Sequence, residues 1–220
     1  MLKPIKTAKQ HLIIFTRYPE PGKTKTRMIP ALGSLGAADL QRQMTEYTLS
    51  QAQALQNSIS IEVRFAGGNL QLMQEWLGDS LLYQCQGEGD LGDRMARSLV
   101  ESFQKNAAQV IIIGTDCPDA NSQILAQASA QLQTFDLVLG PALDGGYYLI
   151  GLRRFIPELF ININWGTAQV FQQTVDVAKK LNISYVCLPA LSDIDRPEDL
   201  LIWERILATD DANIDKSNAQ

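Results

Sequence analysis

Charged side chains gather in five short stretches of this 220-residue chain, and their types suggest chemistry on phosphates. The first, FTRYPEPGKTKTRM (residues 15–28), carries Lys23, Lys25 and Arg27 on alternate positions just past Gly22. Gly22-Lys23-Thr24 matches the end of a Walker loop, but that loop also requires a glycine where Arg17 stands. Pro19 and Pro21 remove two further amide donors, which argues against a backbone phosphate nest. What survives is an irregular basic loop ahead of a helix, a suitable place for a di- or triphosphate, with a solvated basic turn as the alternative.

The other four stretches are acidic or glycine-rich. GTDCPD presents Asp116, a hard oxygen donor suited to Mg²⁺ or Mn²⁺ against phosphate oxygens, and Asp119, which could ligate the ion or cap the next helix, as could Asn121. DIDRPEDL offers Asp193 and Asp195, either of which could complete a metal site while the other caps a helix. In ALDGGYYLIGL, Asp144 precedes Gly145 and Gly146, which permit close backbone approach to a ligand or simply a tight turn. Tyr147 and Tyr148 alternate along the following strand, so one of them is expected to face the site. In GEGDLGDRM, Asp90 and Arg94 lie one helical turn apart, as ligand contacts or as a structural ion pair. Cys117 reads as a small buried residue, because the single histidine, His11, starts a strand and offers it no base.

These clusters need elements to hold them at one place. Short apolar runs alternate with longer amphipathic ones, which predicts an α/β fold: a single domain with a mostly parallel, Rossmann-like sheet flanked by helices. Strands are expected at 11–16, 59–66, 81–86, 109–115, 135–142, 146–152 and 183–189. Helices are expected at about 34–56, 69–77, 90–105, 121–133, 167–181 and 196–207, the last opening with Pro197, Glu198 and Asp199. Each polar cluster follows a strand, where ligands sit in open α/β sheets. Residues 1–208 form the expected domain, and the polar stretch 209–220 reads as a disordered tail.

Composition narrows the partners. With 45% hydrophobic residues and a net charge of −5, the chain can bury a core but has no broad basic surface for nucleic acid. The apolar run LIIF is too short for a signal or a membrane span, so a cytoplasmic protein is expected. Three scattered cysteines fit reduced thiols. Apolar residues on the late strands leave room for a homodimer interface.

Taken in order, PGKTKTRM, GDLGDRM, GTDCPD, GPALDGGYYLIGL, NWGTAQVF and DIDRPEDL resemble the glycosyltransferase-A-like family once catalogued as a domain of unknown function. Some of its members are named arsenosugar biosynthesis glycosyltransferases. The resemblance runs from about Leu12 to Leu200. It implies a nucleotide-diphospho-sugar transferase fold, with molybdenum-cofactor and phospholactate nucleotidyltransferases as distant relatives. It further implies that Gly22, Lys23, Lys25 and Arg27 grip phosphates, that Asp116 binds the metal and that Asp195 is its partner. Against the family pattern KAPxPGxVKTRL, Arg17 stands for a lysine and Thr24 for a valine, and Asn164 precedes Trp165 where proline is common.

The expected activity is metal-dependent transfer of a sugar from a nucleoside-diphosphate-sugar donor to a small-molecule acceptor, with Mg²⁺ or Mn²⁺ as cofactor. Thr16, Gly22, Lys23, Lys25, Thr26, Arg27, Asp90 and Arg94 form the candidate nucleotide and phosphate set. Asp144 is the candidate for the acceptor hydroxyl, with Lys25 and Arg27 assisting departure of the diphosphate. Gly145, Gly146, Tyr147 and Trp165 make up the acceptor side. Nucleotidyl transfer from a nucleoside triphosphate and a nucleotide-binding module without turnover are the alternatives.

Overall fold

The computed structural model describes residues 9–218, with side chains from 10 to 209. Seven strands form one sheet: β1 (Lys9–Arg17), β2 (Ile59–Ala66), β3 (Leu82–Cys85), β4 (Ala107–Gly114), β5 (Leu137–Pro141), β6 (Tyr147–Leu152) and β7 (Tyr185–Cys187). Six helices lie between or after them: α1 (Ile29–Gln53), α2 (Leu70–Leu77), α3 (Leu91–Gln104), α4 (Ser122–Gln131), α5 (Val170–Lys180) and α6 (Leu200–Asn218). No helix among the described residues is long and apolar enough to cross a membrane.

The strand order is β3-β2-β1-β4-β6-β5-β7. All neighbours are parallel except β6, which runs antiparallel to both β4 and β5. The reason lies in the connection. Residues 142–146 are too few for a crossover, so β6 must fold straight back against β5. The order reverses at β1, which has β2 on one side and β4 on the other, and a crevice for ligands opens beyond their carboxyl ends.

The unbroken apolar runs in β1 and β4 follow from burial on both sides. Leu12, Ile14, Ile111 and Ile113 pack on one sheet face, and Ile13, Phe15, Val110 and Ile112 on the other. A third cluster joins Met28, Leu40 and Met44 at the start of the chain to Ile194, Trp203 and Ile206 near its end. That cluster fixes the basic loop and the Asp193–Asp195 segment on a common base.

Two elements differ from the sequence expectation. Helix α1 begins earlier, at Ile29, but is interrupted at Gly33 (φ 69°, ψ 171°), so its continuous part agrees with the expected start near 34. Helix α6 continues to Asn218, through most of the stretch 209–220 that composition assigned to a tail.

Candidate active site

A cleft of about 770 Å³ lies beyond the carboxyl ends of β1 and β4. It gathers Thr16, Lys23, Lys25, Thr26, Arg27, Arg94, Asp116, Asp144, Gly146, Tyr147, Trp165 and Asp195 from the sequence-derived set. Gly22, Asp90 and Gly145 do not line it. Gly22, at φ 80°, shapes the basic loop. Asp90 caps α3, accepting the Asp93 amide at 2.9 Å in a reciprocal capping box. Gly145, at φ 91°, allows the turn to pass under Ala168, whose carbonyl oxygen would lie 2.2 Å from an added Cβ.

The basic loop is a rigid arch. The Lys23 amide donates to the Glu20 carbonyl at 3.0 Å, and the buried Thr24 hydroxyl donates to the same oxygen at 3.1 Å. Lys25 adopts left-handed geometry (φ 46°, ψ 44°) ahead of a 3-10 turn at Thr26–Met28. Non-glycine residues take that conformation only where the surroundings enforce it. Here the Lys25 side chain is only 4% exposed, and its ammonium is held by Asp116 Oδ1 at 2.8 Å and by the Ile194 carbonyl.

Each of the three cations of the basic loop has a carboxylate partner. Lys23 pairs with Glu20 at 2.7 Å, Lys25 with Asp116, and Arg27 with Asp195. Thus the two candidate metal ligands are engaged by two candidate phosphate ligands. Two other cations border the cleft without forming an ion pair among the described residues, Arg17 and Arg94. Arg94 donates from Nη1 to Gln86 Oε1 at 3.1 Å and from Nε to the Asp90 carbonyl, so it meets Asp90 through backbone rather than carboxylate.

Four carboxylates line the same cleft: Asp116, Asp144, Asp193 and Asp195. The Ile194 amide donates to the Asp116 carbonyl at 2.8 Å, which sets the Asp193–Asp195 segment against the end of β4. Burial pushes the Asp193 carboxyl above its ordinary value, and the charges of Asp144, Asp195 and Asp116 push it in the same direction, against a lowering hydrogen bond from its own backbone. Hard oxygens crowded until one resists ionisation suit a divalent cation, so the donor set fits Mg²⁺ or Mn²⁺. Among the described residues, however, no three His, Cys, Asp or Glu side chains are already grouped as ligands. An ion held by Asp116 and Asp195 would have to loosen their pairs with Lys25 and Arg27.

Asp144 turns back on its own loop, with Oδ1 accepting the Gly146 amide at 2.8 Å. Asp119 lies outside this cleft and pairs with Arg205 at 2.7 Å, while Asn121 caps α4 by accepting the Gln123 and Ile124 amides. Burial, reinforced by Asp116, Asp193 and Asp144, raises the Cys117 thiol far above its ordinary value, which removes it as a nucleophile.

Trp165 stands on Gly92 of α3, edge-on to Tyr147 at a centroid distance of 6.3 Å and stacked on Phe160 at 6.4 Å. Both Tyr147 and Tyr148 border the cleft, although they pack on opposite sheet faces. This corrects the expectation that one of them would face the site, because the strand meets the cleft end-on. The Tyr148 hydroxyl donates to the Pro189 carbonyl at 3.1 Å.

The sequence reading missed the floor of the cleft. Gln41 Nε2 reaches Thr16, Thr45 and Thr115 hydroxyls at 3.2–3.3 Å, and the Thr16 and Thr45 hydroxyls share a hydrogen bond of 2.7 Å. Gln86 donates to the carbonyls of Thr16 and Arg64 at 2.9 and 3.0 Å. The one available signal was a run of polar residues on the buried face of α1, Gln41, Thr45 and Thr48.

The sheet order, the cleft at the switch point and the loops around it define a nucleotide-diphospho-sugar transferase fold. A crystal structure from Desulfovibrio desulfuricans G20, whose own assignment as a nucleotide-diphospho-sugar transferase is provisional, matches with a TM-score of 0.82 at 33% identity, covering 86% of this chain and 84% of that one. A family model described as an uncharacterized protein conserved in bacteria (DUF2064) matches residues 48–167, and the chain belongs to that family. Two remoter structures share the fold at 10% identity. One is a CMP:2-keto-3-deoxy-manno-octonic acid synthetase complexed with CTP, with a TM-score of 0.58 over 92% of this chain and all of that one. The other is a 4-diphosphocytidyl-2C-methyl-D-erythritol synthase from Anaerococcus prevotii DSM 20548, with a TM-score of 0.62 over 91% and 96%. Comparison with curated proteins gives no match.

Proposed function

We propose that the chain is a transferase that moves a sugar from a nucleoside-diphosphate-sugar donor to a small acceptor. One observation carries this reading: a single cleft at the sheet's switch point sets Arg17, Lys23, Lys25, Arg27 and Arg94 against Asp116, Asp144, Asp193 and Asp195. The cations suit a diphosphate, and the carboxylates suit a divalent cation and a hydroxyl nucleophile.

Asp116 and Asp195 would hold Mg²⁺ or Mn²⁺, with Asp193 beside them. The ion would supply positive charge to the departing diphosphate. In transfer, the acceptor oxygen bonds to the anomeric carbon as the bond from that carbon to the diphosphate oxygen breaks, and the electron pair leaves with the diphosphate. Lys25, Arg27 and Arg94 stabilise that charge, with Thr16, Lys23 and Thr26 lining the same cleft. Asp144 takes the acceptor proton, and Trp165, Tyr147 and the Gly145-Gly146 turn shape the acceptor's place.

The remoter structures favour a second reading, nucleotidyl transfer, since one of them holds CTP on the same fold. Products separate the two. Incubation with a panel of nucleotide-sugars and acceptors in Mn²⁺ releases nucleoside diphosphate under the first reading. Pyrophosphate released from a nucleoside triphosphate, with a phosphorylated acceptor required, overturns it in favour of the second.

A further inference from the structure

The two ion pairs that cross the cleft are built differently. Lys25 is buried, held by two acceptors and fixed by its left-handed backbone. Arg27 is 66% exposed, and Asp195 at 33% is its carboxylate partner in a pair open to solvent. The backbone amides of Asp195 and Arg196 are held separately, by Asp199 Oδ2 at 3.0 and 2.7 Å. The Asp195 carboxylate can therefore change partner without loss of its loop's anchor, and the Arg27 guanidinium can swing without moving Lys25.

Resting on the reading of this cleft as a diphosphate and divalent-cation site, we infer that the Arg27–Asp195 pair is an autoinhibitory latch. While closed, it withholds a guanidinium from a diphosphate and a carboxylate from a divalent cation. The two ligands open it together: the cation takes Asp195, and the diphosphate takes the released Arg27. Either ligand alone must separate the pair and leave one charge without a new partner. The latch thus couples the two affinities, and linkage makes that coupling reciprocal. It also keeps the resting cleft from collecting free phosphates or stray cations.

The latch makes a paradoxical prediction: removing a residue of the site tightens one ligand. Asp195→Asn frees Arg27, so inorganic pyrophosphate measured calorimetrically in EDTA binds roughly two- to fivefold more tightly than to wild type, the worth of an exposed ion pair. Arg27→Met frees Asp195, so Mn²⁺ alone, measured by its electron paramagnetic resonance signal, binds more tightly by a similar factor. Two controls separate pair release from mere change of charge. Asp193→Asn removes a neighbouring carboxylate that no cation holds among the described residues, and Arg17→Met removes a cation that no carboxylate holds among them. Each is expected to shift its ligand less than the corresponding latch variant does.

The pyrophosphate gain of Asp195→Asn must also vanish when it is combined with Arg27→Met, because no guanidinium is then left to free. A gain that persists in the double variant, or one matched by Asp193→Asn, overturns the latch while leaving the transferase reading intact. Failure of pyrophosphate to bind any of these proteins, wild type included, overturns the transferase reading and the latch with it.

Discussion

The proposed acceptor side of the cleft depends on a glycine that the helix itself does not require. Gly92 is buried in the first turn of α3, with no positive φ to enforce it, so alanine there gains about 1 kcal/mol of helix propensity. Its new Cβ, however, would lie 2.2 Å from Trp165 Nε1 and 2.4 Å from Cε2. Restoring an ordinary separation of about 3.5 Å makes the indole retreat by roughly 1.3 Å. Phe160 stacks on one side of the indole and Tyr147 meets it edge-on, which leaves the cleft as the yielding direction. Overpacking costs about 1–3 kcal/mol, so Gly92→Ala is expected to destabilise by about 1 kcal/mol net and to lower Tm by about 2–4 °C. The functional cost is larger. A shift of about 1 Å in a positioning wall lowers kcat/KM for the acceptor by up to about 100-fold, while donor affinity stays within about twofold. Thermal melts, calorimetric donor binding and acceptor kinetics measure the three quantities. Combination with Trp165→Ala supplies the check: with the indole gone, Gly92→Ala becomes neutral or stabilising. An equal penalty in both backgrounds, or wild-type acceptor kinetics in Gly92→Ala, refutes the reasoning.

Two other perturbations concern charge. Arg64 is fully buried, with Nε on Glu62 at 2.6 Å and Nη2 on Glu101 at 2.7 Å, so Arg64→Met leaves the buried Glu62 with His11 at 3.2 Å as its remaining partner and should cost about 3–5 kcal/mol at pH 7 in urea denaturation. Burial alone would raise the Glu62 carboxyl, but the His11 and Arg64 side chains outweigh it and hold it below its ordinary value. In wild type this stability is present above the unfolded carboxyl pKa and is lost as pH falls, so the cost of Arg64→Met shrinks on acidification. Asp193 has the opposite sign. Its raised carboxyl contributes stability below the ordinary value of 3.8 that is lost as pH rises through the folded value, so metal-free Asp193→Asn should melt higher than wild type at pH 7, a gap that closes towards pH 3.8.

The strands were legible because each is an apolar run bounded by polar loops, and all seven lie where those runs predict them. The antiparallel entry of β6 between β4 and β5 was not, since nothing local in YYLIGL states its partners. Most of the site could be read from residue types alone: carboxylates after β4 and β7, and cations after β1. Their mutual neutralisation could not. Lys25 and Asp116 are 91 residues apart and Arg27 and Asp195 are 168 apart, so only the fold shows that the expected phosphate ligands and metal ligands hold each other. Arg17 entered the reading as a missing glycine and as a replacement for a family lysine, not as a site residue, yet it is one of the two cleft cations without an ion pair among the described residues. Apart from the polar run Gln41, Thr45 and Thr48 on α1, the Gln41 and Gln86 networks left little trace for a similar reason: neutral amides in a sequence announce no partner, and their hydrogen bonds join strands and helices far apart in the chain.

The most direct test of the account follows the phosphorus. With Mn²⁺, a nucleotide-sugar panel and a mixture of small acceptors, phosphorus NMR of the products should show nucleoside diphosphate formed together with a glycosylated acceptor. Asp116→Ala should reduce that signal by at least about 100-fold, as expected where charge on the leaving group is stabilised in the transition state. Pyrophosphate as the phosphorus product, or nucleoside diphosphate released at an unchanged rate by Asp116→Ala, would contradict the account.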